Sequence, residues 1–210
     1  NDAGIPCIAV NVPFPGCAWF NLSNKDIGAE TGRVMADAAK AKGWTGADTS
    51  VILVQNATAG EEVNHSVMYF YEAVAQNMEG MDQIAAADIT RQTTTMGNNL
   101  IQVDGQSALE ASYTAVKNVL PTIPEDRHIL IQTPNDDSAM GAWRAIVEAN
   151  RVDNGLIAGL GGGAALVIPP AATGLLTVVA GIGYSLAVVA ASPPGPLSLT
   201  TVTTLAGILL

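Results

Sequence analysis

The chain predicts an α/β protein built on a doubly wound parallel sheet. Two features of the sequence point there. Short apolar runs rich in β-branched residues recur without polar alternation, as in strands buried on both faces. Amphipathic segments of helical length separate them, and strand followed by helix at this spacing builds βαβ units.

The expected strands are Pro6–Asn11, Ser50–Asn56, Gln83–Ile89 and His128–Thr133. The first helix is expected over about Lys25 to Lys42, with Asn24 as its cap. Asp26 and Glu30 lie near its positive end, Lys40 and Lys42 near its negative end, and Gly43 stops it. Ile27, Thr31, Val34, Met35 and Ala38 would form its buried face. A second helix is expected over Glu61 to Asn77. A third runs over Gln106 to Leu120, with Asp104 placed to cap it and Pro121 to end it. The fourth is expected over Ser138 to Asn150, with Met140, Trp143, Ala145 and Ile146 facing inward. Tyr69, Phe70 and Tyr71 are consecutive on the second helix and cannot share a face, so at least one belongs to the core.

Composition narrows the function. The 210 residues carry a net charge of −10, which leaves no basic face for nucleic acid and no basic run for an anionic membrane. Nucleotide fingerprints, a Ser/His/Asp order and metal-ligand spacing are all missing, so neither cofactor nor metal nor enzymatic chemistry is expected. The Gly-rich run Gly159–Gly163 lacks the spacing of a nucleotide loop. Cys7 and Cys17 are the only cysteines, and both a single bridge and two free thiols stay open.

Ligands of open α/β sheets bind beyond the carboxyl ends of the strands. The polar residues after the expected strands are Asn11, Asn56, Asp88 and Asn135-Asp136, all amides or acids. Without a base or nucleophile, such a set suits a polar neutral ligand. Asn135 and Asp136 also fit a plain capping role for the fourth helix. Phe14, Trp19 and Phe20 supply aromatic faces that would stack on a sugar or fill a core, Phe14 being the candidate ligand contact.

The segments "GIPCIAVNVPFPG", "NKDIGAETGRVMADAAKAKG", "VILVQNATAG" and "NDDSAMGAWRAIVEANR" resemble, in that order, the type I periplasmic sugar-binding proteins. These are receptors of ABC importers, related to the effector domains of LacI-type repressors. The match covers Gly4 to about Gly163, with the N-D-x-x-A-x-G-A-x-R-A run its most specific element. The resemblance implies a binder of a sugar or polyol that closes two lobes about a hinge and serves a membrane permease. It would be periplasmic or extracellular, with a lipid anchor on a preceding segment as one form. An effector domain of a LacI-type regulator is the alternative. It implies that residues 1–22 end a first lobe whose beginning is absent, that residues 23–160 form the second lobe, and that residues 161–210 return to the first. Asn11 and Asn135 fall on positions that touch sugar hydroxyls, and Asp104 and Asp136 are further candidates. A position that often holds an arginine falls on Ser66, beside Asn64 and His65, and a later Asp or Gln falls on Gly161.

The charge distribution breaks at Asp153. None of the last 57 residues is charged, where the density of the preceding chain would put about ten charges. Three readings compete for this tail. An incomplete assignment of side chains is favoured, because the tail keeps the family's rhythm of strand and turn while large and charged residues vanish. A membrane span over Ala171–Ser192 lacks basic flanks and contains glycines. The third reading is an uncharged soluble tail.

Overall fold

The computed structural model describes residues 6–10, 13–20 and 23–160. The expectations for Asn11, Gly161 and the uncharged tail after Leu160 lie outside the described residues. Two short strands open the chain, β1 (Ile8–Val10) and β2 (Ala18–Phe20), paired in parallel. A disulfide joins Cys7 to Cys17 beside them, across Cα atoms 4.8 Å apart.

The main unit follows: α1 (Asn24–Ala41), β3 (Thr49–Gln55), α2 (Glu61–Asn77), β4 (Thr94–Met96), β5 (Leu100–Asp104), α3 (Leu109–Val119), β6 (His128–Gln132), α4 (Asp136–Glu148) and β7 (Gly155–Ala158). The sheet order is β4-β5-β3-β6-β7, parallel throughout except for β4, which runs antiparallel to β5. The expected doubly wound α/β class is therefore observed.

Strand parity assigns the two faces. Val51, Leu53, Leu100, Leu130 and Leu156 pack under α1 and α2 with Met35, Val67, Phe70, Tyr71 and Val74. Ile52, Val54, Val103, Ile129, Ile131 and Ile157 pack under α3 and α4 with Val116, Trp143 and Ile146. Each large aliphatic side chain so buried stabilises the fold by about 1.5–3 kcal/mol. Phe70 and Tyr71 both enter the core, while Tyr69 is only partly buried.

Several local expectations need correction. Gln83–Ile89 is not a strand; it is an irregular segment with one 3-10 turn, Ala86–Asp88, so Asp88 follows no strand. Three successive alanines have little strand preference, and the Gln83 amide donates instead to the Ala75 and Met81 carbonyls. The strand lies later, at β5, with β4 as its antiparallel hairpin partner. Ser23, not Asn24, caps α1 through its hydroxyl, which accepts from the Asp26 N–H at 3.3 Å. The buried face of α1 is rotated from the expected one and includes Asn24, Gly28, Thr31, Gly32, Met35, Ala36 and Ala39. The rotation puts glycines against α2. A Cβ at Gly28 would stand 2.6 Å from the Ser66 carbonyl oxygen, so only glycine permits this approach. Because Gly28 meets Ser66 and Gly32 meets Phe70, the two helices run parallel.

Asp104 does not cap α3. Its N-cap is Ala108, with no side-chain bond, and α3 begins three residues later than expected. Gln106 and Ser107 both have φ of +54°, which excludes them from a right-handed helix.

Candidate functional site

Every helix of the main unit starts at the carboxyl edge of the sheet. α2, α3 and α4 follow β3, β5 and β6 directly, and α1 lies parallel to α2. Their positive ends are balanced by acids in the first turns, among them Asp26, Glu61, Glu110 and Asp136. The edge is polar and rich in carboxylates.

Short amide and acid side chains tie its loops together. Asn64, fully buried, accepts from the Asn56 N–H at 2.9 Å and donates to the Asn56 carbonyl at 2.8 Å and the Gly60 carbonyl at 2.6 Å. The Asn56 side chain accepts from the N–H groups of Thr58 and Ala59 and donates to the Ser107 hydroxyl at 2.9 Å. Asp104 Oδ1 accepts from the Ala57 N–H at 3.2 Å and the Gln106 N–H at 3.0 Å. Asn135 caps α4 by accepting from the Ser138 N–H at 2.9 Å, and its amide donates to the Ser107 carbonyl at 3.0 Å. Thr133 holds the turn from behind, its hydroxyl within reach of the Asn135 and Ala158 carbonyls.

Ser107 is the meeting point. Two successive non-glycine residues in the left-handed region cost on the order of 1–3 kcal/mol each, and they persist only where their surroundings over-determine them. Here β3, β5 and the β6–α4 turn all contribute bonds that fix the Asp104–Ser107 corner. Asp104 and Asn135 nevertheless keep capacity. No bond to Asp104 Oδ2 is present among the described residues, and the second amide hydrogen of Asn135 is uncommitted. A rigid edge with a spare carboxylate oxygen and a spare amide donor can receive a ligand hydroxyl, which both donates and accepts.

The sequence-derived candidates separate into groups. Asp104, Asn135 and Asp136 come together at this edge. Ser66 does not join them; it is fully buried at the α1–α2 contact, and its hydroxyl donates to the Val63 carbonyl at 3.0 Å. Phe14 sits in the connection between β1 and β2 and is 69% exposed. Asn11 lies outside the described residues. Among unforeseen contributors, Ser107 gave no signal in the sequence, whereas Asn64 was visible only as a neighbour of Ser66. His65 is partly buried with its Nδ1 3.4 Å from the Glu62 carboxylate.

No family model and no curated protein matches the chain by sequence. Solved structures do match by fold. An ABC transporter periplasmic solute-binding protein from Actinobacillus succinogenes 130z with bound D-allose aligns at a TM-score of 0.56 and 17% identity, over 77% of this chain and 51% of that one. A glucose-galactose binding protein from Geobacillus stearothermophilus aligns at 0.60 and 15%, over 85% and 56%. An ABC transporter solute-binding protein from Mycobacterium smegmatis with bound glycerol aligns at 0.55 and 19%, over 77% and 48%. The chain thus spans about half the length of the structures it matches. Over that span it has the fold of the type I periplasmic sugar-binding proteins.

Proposed function

We propose that this protein binds a sugar or similar polyol at the carboxyl edge of the sheet, as the solute receptor of an ABC-type importer in the periplasm or outside the cell. The reading rests on one observation. Asp104, Ser107 and Asn135 are locked together by bonds from the ends of three separate strands, yet Asp104 and Asn135 keep hydrogen-bonding capacity that meets no partner among the described residues. Holding spare polar capacity rigid lowers the entropy lost when a ligand arrives. The fold likeness adds support, since two of the matched proteins hold a sugar or glycerol.

In this reading residues 23–160 form one lobe, residues 1–22 and 161–210 belong to the other, and the ligand is enclosed as the lobes close about a hinge near Asn24. Asn135 and Asp104 receive hydroxyls, Asp136 supports them from the first turn of α4, and Asn11 and Phe14 approach from the facing lobe. Ser66 acts through the α1–α2 contact rather than by touching the ligand. Among the described residues the edge offers no paired nucleophile and base, so binding rather than turnover is the proposed activity.

Thermal-shift and calorimetric titration of the full-length protein against a panel of pentoses, hexoses and polyols tests this directly, because a ligand of the native state raises the melting point by mass action. At least one member should bind with micromolar or tighter affinity. A silent panel, or hydrolysis of any sugar during titration, would overturn the reading. A transcription regulator sharing the fold would instead hold its sugar-dependent response in DNA binding, which a gel-shift assay of the full-length protein separates from transport.

A further inference from the structure

We propose that the ligand is longer than one sugar ring and that its second unit occupies a cleft between the start of α2 and the segment from Ile89 to Gln92; the proposal rests on the sugar-binding reading above. The cleft measures about 460 Å³ and is lined by Ala57, Glu61, Met68, Ile89, Arg91 and Gln92, with Thr90 between the last three. It adjoins the site at Ala57, whose N–H is held by Asp104 Oδ1.

Arg91 is the central observation. The chain has five arginines, and four are committed to the fold. Arg33 pairs with Glu30 and Asp37, Arg127 donates to the Thr49 carbonyl, Arg144 pairs with Glu110 and Glu148, and Arg151 donates to three carbonyls. Arg91 has neither hydrogen bond nor ion pair among the described residues, although it is only partly exposed. Glu61 lines the same cleft and is likewise uncommitted, so donor and acceptor stand across a gap rather than together.

The wall carrying Arg91 is anchored to the interior. Gln55, fully buried at the end of β3, donates to the Thr90 carbonyl at 2.9 Å. Met68 and Ile89, 5% and 4% exposed, provide an apolar floor. The combination suits a pyranose: guanidinium and amide donors, a carboxylate acceptor, and an aliphatic surface for the ring's C–H face. The opposite signs of Arg91 and Glu61 favour a neutral unit over an anionic one. The volume lies in the range of about 300–1,000 Å³ usual for small-molecule pockets, beyond the edge site itself.

Calorimetric titration of the full-length protein with glucose, galactose, lactose, cellobiose and maltose tests the inference. At least one disaccharide should bind about tenfold more tightly than either monosaccharide. Arg91→Met, which keeps the aliphatic stem, should erase that advantage while monosaccharide affinity and melting temperature stay unchanged, and Glu61→Gln should reduce it in part. Monosaccharides that bind as well as every disaccharide would overturn the second unit and leave the sugar reading intact. So would an Arg91→Met variant that weakens both classes alike, or neither. Failure of all five sugars to bind would overturn the second unit, while the sugar reading falls only if the panel of pentoses, hexoses and polyols is silent as well.

Discussion

The two edges of one sheet are built from different side chains. At the amino edge, long cationic residues reach across loops to backbone carbonyls. Arg127 donates to the Ser50 hydroxyl at 3.0 Å and the Thr49 carbonyl at 2.8 Å. Arg151, 8% exposed, donates to the carbonyls of Ile123, Pro124 and Arg127. Burial lowers its pKa from the ordinary arginine value, while Glu125 and Asp126 oppose that loss. His128 stacks on Trp44 with centroids 4.2 Å apart, and Asn99 links the Tyr71 hydroxyl, the Asp82 N–H and the Gly46 carbonyl. At the carboxyl edge, short amides and acids knot the loops and leave an oxygen and a hydrogen over. A guanidinium braces distant strands, whereas an asparagine fixes a corner and still presents an unused face. The same hydrogen-bonding chemistry serves stability at one edge and, in the proposed reading, recognition at the other.

The largest effect that would sharpen this contrast is expected at Arg151. Arg151→Met should cost about 3 kcal/mol in urea denaturation, because buried carbonyls lose their donor. Sugar affinity should change less than about twofold, the amino edge being remote from the ligand. Asn64 tests whether position or commitment matters. It lies at the carboxyl edge but its bonds all go to the protein, so Asn64→Ala should act like an amino-edge variant and destabilise by about 2 kcal/mol. Asn135→Ala should do the reverse. Ligand binding should weaken by about 1–3 kcal/mol, with a stability loss below about 2 kcal/mol for the missing cap. Unchanged affinity in that variant would break the comparison.

The smallest effect concerns pH. Burial holds the His128 pKa below its usual 6.5, with Asp48 opposing and Lys42 and Arg151 adding to the depression. The unfolded chain therefore takes up a proton from about pH 6.5 downward before the folded chain does, so stability is full above pH 6.5 and declines as pH falls through the folded value. His128→Phe keeps a ring on Trp44 and should flatten that part of the melting curve between pH 7.5 and 5.5, as followed by circular dichroism.

Local chemistry made the carboxyl edge partly legible in the sequence. Asn135 reads as a cap because the Ser138 N–H it holds is three residues away, and β3 and β6 read as strands because their runs are β-branched and uninterrupted. β5 was hidden by Gln102 within a short run, while the neighbouring Gln83–Ile89 segment offered a longer apolar stretch. Ser107 was unreadable for a different reason. Its left-handed backbone depends on Asn56 and Asn135, 51 and 28 residues distant, and no local pattern records such partners. The burial of Ser66 was unreadable likewise, since the parallel α1–α2 contact that covers it is set by Gly28 on another element. The cysteine pairing stayed open until Cys7 and Cys17 could be placed in space.

The strand order carries a consequence for biosynthesis. β3, first of the five in the chain, is central, and β5, β6 and β7 each join an edge that already exists. Among the described strands, none must be threaded between two formed neighbours. A nascent chain emerging from the ribosome can add each βα unit to a seed of α1, β3 and α2, limiting the time that open edges spend exposed to other chains. Limited proteolysis of ribosome-stalled chains should then show Thr49–Gln55 protected before Gly155–Ala158 has been synthesised. Protection that arises only after β7 has emerged would instead mark a sheet that closes all at once.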